Sequence, residues 1–164
     1  MNFIAIGIAS LVPMIIGFVW YNPKVLGNAW MKAAEMTDEK IKGTNMGIIF
    51  GVSFVLSFIL AVMLQVLVIH QVHFGSILMF QPDFKEAGSV SSELYNKLME
   101  LYGSSYRTFK HGAFHGTMAG ILLITPVMAV NALFERKGFK YIAINAGYWI
   151  ISMAIMGGII SAMK

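Results

Sequence analysis

Residues 46–69 read MGIIFGVSFVLSFILAVMLQVLVI, a stretch with no Asp, Glu, Lys, Arg or His. About 20 apolar residues of helix cross a hydrocarbon core roughly 30 Å thick, and this stretch supplies them. It is apolar on nearly every face, whereas a helix in a soluble domain keeps a polar stripe at helical period. A charge near the centre of such a segment costs roughly 3 kcal/mol on an insertion scale, which accounts for the absence of charges. The solvent that suits this stretch is lipid.

Three further runs share the pattern: Phe3–Trp20, Gly112–Leu133 and Tyr141–Met163, none with an Asp, Glu, Lys or Arg. The four runs make up more than half of a 164-residue chain that is 57% hydrophobic and 12% charged. A soluble domain carries about a quarter charged residues. The expected fold is therefore all-α: a polytopic membrane protein with four transmembrane helices in one domain, residues 1–164. The first run reads as a span and not as a cleaved leader. It lacks a basic n-region, and Trp20-Tyr21-Asn22-Pro23 is a poor cleavage site. With no cysteine in the chain, disulfides, thiol catalysis and cysteine-ligated clusters are excluded. The net charge of +4 is spread over the connecting segments. It fits contact with anionic lipid headgroups and not with nucleic acid.

The connections carry their own signals. Asn22-Pro23 reads as an N-cap followed by proline at the first helical position. Leu26, Trp30 and Ala33 then share a side, which predicts a short helix lying in the interface. A further turn starts at Thr37-Asp38-Glu39-Lys40 and ends at Gly43. Past Ile69 the apolar character resumes as far as Phe80, which predicts a second span longer than the bilayer needs, tilted or projecting. In the long 75–110 loop, Leu94, Leu98, Leu101 and Tyr102 fall at helical spacing with Glu93, Asn96, Lys97 and Glu100 between them. This predicts an amphipathic helix over Val90–Tyr102, stopped by Gly103, capping the membrane face. Pro13 and Pro126 are expected to kink their spans. The short 134–140 connection makes spans three and four an antiparallel hairpin.

Four spans put both termini on one side. Loops one and three carry Lys24, Lys32, Lys40, Lys42, Arg136, Lys137 and Lys140, against Lys85, Lys97, Arg107, Lys110 and Lys164 on the other face. The excess places loops 21–45 and 134–140 in the cytoplasm, with the termini and loop 75–110 outside.

Two features bear on association and chemistry. Gly112, Gly116 and Gly120 recur every four residues and form a smooth stripe that lets helix backbones approach. Ala143 and Gly147, and Gly47 and Gly51, repeat the spacing. The stripe serves either packing within the chain or a homo-oligomer contact. His70 and His73, three apart, close span two, and His111 and His115, four apart, open span three. Each spacing puts a pair on one helical face, and the topology brings both pairs to the same membrane face. Four imidazoles there are candidate ligands for zinc or another divalent metal, with Asp83, Glu86, Glu93 and Glu100 nearby as carboxylate sources. The competing reading is that histidine is simply comfortable at an interface, and no HExxH or other catalytic frame accompanies the pairs. On that reading no cofactor is expected. Asn131 and Asn145 flank the third loop and are placed to hydrogen-bond across the hairpin.

The motif Trp20-Tyr21-x-Pro23-x3-Gly27-x2-Trp30 resembles the signature of small membrane proteins catalogued as domain of unknown function 1761. His115-Gly116-x3-Gly120, Phe134-Glu135-Arg136 and Asn145-x-Gly147-Tyr148 resemble it too. The chain departs from that pattern at Leu26, Asn28 and in the length of Gly75–Lys110. The resemblance implies a four-span protein of the bacterial cytoplasmic membrane, assigns no activity, and singles out His115 among the histidines. The leading expectation is a non-enzymatic, self-associating membrane protein. A small transporter or channel with His115 and Asn145 near its pathway comes second, and a metal-dependent membrane enzyme third.

Overall fold

The computed structural model describes residues 2–163, with Asp38 described through its backbone alone; Met1 and Lys164, the latter part of the charge comparison above, lie outside the described residues. The chain runs α1 (Phe3–Trp20), a π-helical turn (Pro23–Gly27), α2 (Asn28–Ala34), α3 (Asp38–Lys42), α4 (Met46–Val68), α5 (Gln71–Leu78), α6 (Val90–Tyr102), α7 (Phe109–Ala119), a second π-helical turn (Gly120–Ile124), α8 (Thr125–Phe134) and α9 (Phe139–Ala162). No strand occurs among the described residues. Four segments are long and apolar enough to cross a membrane: α1, α4, α9, and the run Phe109–Phe134 that α7 and α8 share.

Capping chemistry sets many of the boundaries. Asn2, Asn45, Ser89 and Thr108 each accept a backbone N–H of the helix that follows, satisfying donors that lipid cannot. Asn22 caps the restart at Pro23 as its sequence predicts, although the first turn is π-helical. In the third span the irregularity is also a π turn, one turn ahead of Pro126, where Thr125 Oγ1 donates to the Gly120 carbonyl at 2.8 Å. α1 continues through Pro13.

α9 is the most buried span and packs against α7, α1 and α4. Its closest partner is α7. A Cβ on Gly112 would overlap the Gly157 carbonyl, one on Gly116 the Met153 carbonyl, and one on Gly120 would meet the Ile150 backbone at 2.8 Å. The glycine stripe is thus occupied within the chain, the first of the two uses its spacing suggested. The core adds Ile6, Ala9 and Val12 of α1, Ala61, Leu64 and Val68 of α4, and Met153, Met156 and Ile160 of α9. Outward-facing Phe18, Ile48, Val52, Leu56, Ile59, Leu122 and Val127 are exposed, as a lipid-facing surface requires.

The two ends of the bundle are tied by different contacts. Lys137 Nζ pairs with Glu35 at 3.1 Å and donates to the Ala34 carbonyl, joining loops one and three. At the other end Arg107 donates to the Ser161 and Met163 carbonyls, fastening loop two to the end of α9. The second span does not project as one long helix. Ile69 adopts an extended conformation (φ −113°, ψ 98°) and the chain restarts as α5, which packs on the amphipathic helix α6.

Substitution at the α7–α9 contact tests this architecture. Gly116→Val should destabilise the protein in detergent by roughly 1–3 kcal/mol, because the obstructing atoms are backbone. Gly7→Ala, with open space around it, should melt at or above the wild-type temperature. Equal melting of Gly116→Val and wild type contradicts the packing.

Candidate metal centre

The break after α4 turns the histidine that follows it toward α7. His70 stands just before α5, and the neighbouring Gln71 fixes the position: its Nε2 donates to the Tyr102 carbonyl at 2.6 Å and the Ser105 carbonyl at 2.8 Å. α7 begins two residues ahead of His111, with Thr108 Oγ1 accepting from the His111 N–H. Gly112 and Gly116 face α9 directly, so the residue preceding each, about 100° away around the helix, is turned to another side. His111 and His115 thereby face His70.

The three rings form a cluster. His70 Nε2 lies 2.9 Å from His111 Nε2, and ring centroids are 5.0 Å apart for His70–His111, 4.9 Å for His70–His115 and 4.5 Å for His111–His115. One ligand atom from each of the three residues lies within 4.8 Å of the others, and all three residues are half-buried. A tetrahedral ion with metal–nitrogen bonds of about 2.0–2.1 Å holds its ligand nitrogens roughly 3.3 Å apart, inside that range. Small rotations of three rings convert one arrangement into the other.

Of the four histidines in the expected site, His73 is the one not brought in. It lies exposed on α5, while His70 turns to α7. The loop carboxylates are not in the cluster either. Asp83 accepts from the Ser91 hydroxyl at 2.7 Å and the Ser91 N–H at 3.1 Å, and Glu100 pairs with Lys97. Hydrogen bonds from the Ser91 hydroxyl and then its backbone lower the Asp83 pKa. This tie at the start of α6 is therefore present at neutral pH and lost as the pH falls through the depressed value.

Tyr106 is a neighbour that spacing did not reveal. Its ring lies 5.0 Å from His111 and 6.3 Å, edge-on, from His70. Its φ of +60° is left-handed backbone that costs a bulky L residue about 1–2 kcal/mol. Arg107 next to it holds the segment through Nε to Ser161 O (2.9 Å) and Nη2 to Met163 O (2.8 Å). Partial burial lowers the Arg107 pKa, and the guanidinium stays charged. The signal that finds Tyr106 is its backbone angle, which no sequence pattern carries.

At the opposite end, Tyr21 Oη donates to Asn145 Oδ1 at 2.8 Å and Trp20 Nε1 to the Ile144 carbonyl at 3.0 Å. Asn145 thus bonds to the residue after α1 and not across the hairpin to Asn131, which is exposed. Its own amide donates to the Tyr141 carbonyl. A Cβ on Gly27 would overlap the Tyr21 carbonyl, and one on Gly147 would sit 3.0 Å from the Trp20 ring. The two aromatic–glycine motifs from the ends of the sequence therefore interlock.

The sequence matches the family described as protein of unknown function (DUF1761) over residues 4–161. The chain belongs to the DUF1761 family. No curated protein and no solved structure matches it. The four apolar spans give the membrane-helix architecture, and family membership leaves the chemistry to be argued from the site.

The Arg107 clamp is directly testable. Arg107→Ala should raise amide hydrogen exchange across residues 104–108 while protection along α7 and α9 persists. Unchanged exchange at Tyr106 and Thr108 contradicts the clamp.

Proposed function

We propose that this protein is a membrane-embedded binder of a divalent transition metal, zinc being the simplest fit, with His70, His111 and His115 as ligands. The observation that supports this reading is the convergence of three imidazoles, one from the junction after α4 and two from α7, with one ligand atom each lying within 4.8 Å of the others. Neutral imidazole suits zinc, copper, nickel and iron, and three protein ligands leave a fourth position for water or another donor. The cluster contains no carboxylate among the described residues. The reading is accordingly binding or hand-on of the ion, not metal-assisted hydrolysis, which would need a positioned base. A transport pathway running from His115 to Asn145 has less support. On α9, Asn145 is two turns before Met153, the residue level with Gly116, on the order of 12 Å along the axis.

Separately, we propose a bacterial cytoplasmic membrane, with loops 21–45 and 134–140 cytoplasmic and the histidine cluster near the outer face. The excess of Lys and Arg in those two loops supports the orientation. Reporter fusions within 134–140 should score cytoplasmic and fusions within 80–90 external; the reverse pattern overturns the orientation and leaves the metal reading untouched.

Purified protein exposed to zinc and then desalted should retain about one ion per chain. His111→Ala and His115→Ala should each weaken binding by more than the 10–100-fold typical of outer-shell changes. His73→Ala should bind as wild type. Protons compete for the imidazoles, so retention of the ion should fall as the pH is lowered. Retention unaffected by His111→Ala and His115→Ala would sink the proposal.

A further inference from the structure

A second site lies at the other end of the bundle, independent of the metal reading. The first half of α1 and the second half of α4 pack through Ile6, Ala9, Val12, Ala61, Leu64 and Val68. The opposite halves line a cavity of about 630 Å³ instead, bounded by α1, the Tyr21–Pro23 turn, α2, the start of α4, and α9. That volume is in the range of sites for small organic ligands.

The lining defines the chemistry of an occupant. Among the described residues it holds no Asp, Glu, Lys, Arg or His. Its aromatic wall is Tyr21, Trp30, Tyr148 and Trp149, with Tyr21 packed 5.3 Å from Trp30 and 5.2 Å from Tyr148. A charged headgroup would be taken from water with no counter-charge, a cost that excludes it. The two phenols are directional. Tyr21 Oη gives its proton to Asn145 Oδ1 at 2.8 Å, and Tyr148 Oη gives its proton to the Pro13 carbonyl at 2.9 Å. Each oxygen therefore turns only acceptor capacity to a ligand. Burial raises the Tyr21 pKa above the ordinary phenol value, with Tyr148 and Tyr141 adding to it, so the hydroxyl stays neutral.

We propose that this cavity binds an uncharged hydrophobic alcohol dissolved in the membrane, its hydroxyl donating to the phenolic oxygen of Tyr21 or Tyr148 and its hydrocarbon body lying against the aromatic wall. The occupant is an alcohol and not a phospholipid acyl chain, because a chain offers nothing to the two phenolic acceptors or to Asn22, Ser53 and Ser57, which also line the cavity, and its headgroup meets no charge.

The protein reports on its own cavity. Trp30 and Trp149 line it, and the third tryptophan, Trp20, directly precedes Tyr21 of its aromatic wall. Full-length protein in phosphatidylglycerol-containing nanodiscs would be titrated with farnesol and with farnesyl methyl ether while tryptophan emission is followed. Farnesol should give a saturable change, and the ether, unable to donate, should bind roughly tenfold more weakly, the loss of about one hydrogen bond. Ser53→Phe should abolish the farnesol response by filling the cavity. Gly17→Leu should do the same from the opposite wall, where a Cβ meets Tyr148 at an ordinary 3.5 Å, and helical circular dichroism would confirm that each variant is folded. Linear, non-saturating emission changes, equal affinity for alcohol and ether, or a farnesol response that survives both substitutions in folded protein would each overturn the proposal. So would quenching by brominated-chain phosphatidylcholine that farnesol does not relieve, which would make the cavity an acyl-chain groove.

Discussion

The structure depends on backbone contact between α7 and α9. Lipid tails are as apolar as leucine side chains, so burial of apolar area gives these helices little reason to associate. What remains is close van der Waals packing, and only glycine lets two helix backbones approach to the point where a carbonyl occupies the place of a Cβ. Gly112 and Gly116 do this against Gly157 and Met153. α9, held in this way, is the post on which α1 and α4 assemble through small buried residues such as Ala5, Ala9, Ser10 and Ala61. The same contact sets the rotation of α7, and that rotation is what presents His111 and His115 to His70.

The two membrane faces have been given opposite chemistry. One gathers imidazoles, a strained tyrosine and an arginine clamp around the junction of α4, α5 and α7. The other gathers tryptophan and tyrosine around the junction of α1, α2 and α9, with hydrogen bonds from Trp20, Tyr21 and Tyr148 crossing more than 120 positions of sequence. Aromatic residues at a boundary are ordinary in membrane proteins. Here they also lock the first span to the last, and they wall a cavity that carries no charge.

Much of this was legible because the bilayer imposes length and polarity so strictly. The spans at Phe3–Trp20 and Met46–Val68 follow from apolar run length alone, and α6 follows from the spacing of Leu94, Leu98 and Leu101. The stripe Gly112, Gly116, Gly120 was visible as a packing surface, but its partner on α9 was not, since nothing in spacing says which helix lies opposite. The break at Ile69 coincides with the polar interruption His70-Gln71 but carries no proline or glycine to announce a turn, and the single break both stops span two from projecting and separates His70 from His73. Long-range hydrogen bonds such as Tyr21 to Asn145 need the fold before they can be read. Phe134-Glu135-Arg136 shows the same limit: Arg136 stands at φ +57°, a left-handed stop to α8 that a glycine would have announced.

The central claim is that His70 from the α4–α5 junction and His111 and His115 from α7 form one metal centre, and the most direct measurement of it is the ligand count in the zinc-loaded protein by X-ray absorption. The account predicts three imidazole nitrogens at about 2.0–2.1 Å with one further light-atom ligand, falling to two imidazoles in His70→Ala. One imidazole or none around the zinc, or a coordination shell unchanged by His70→Ala, would contradict it.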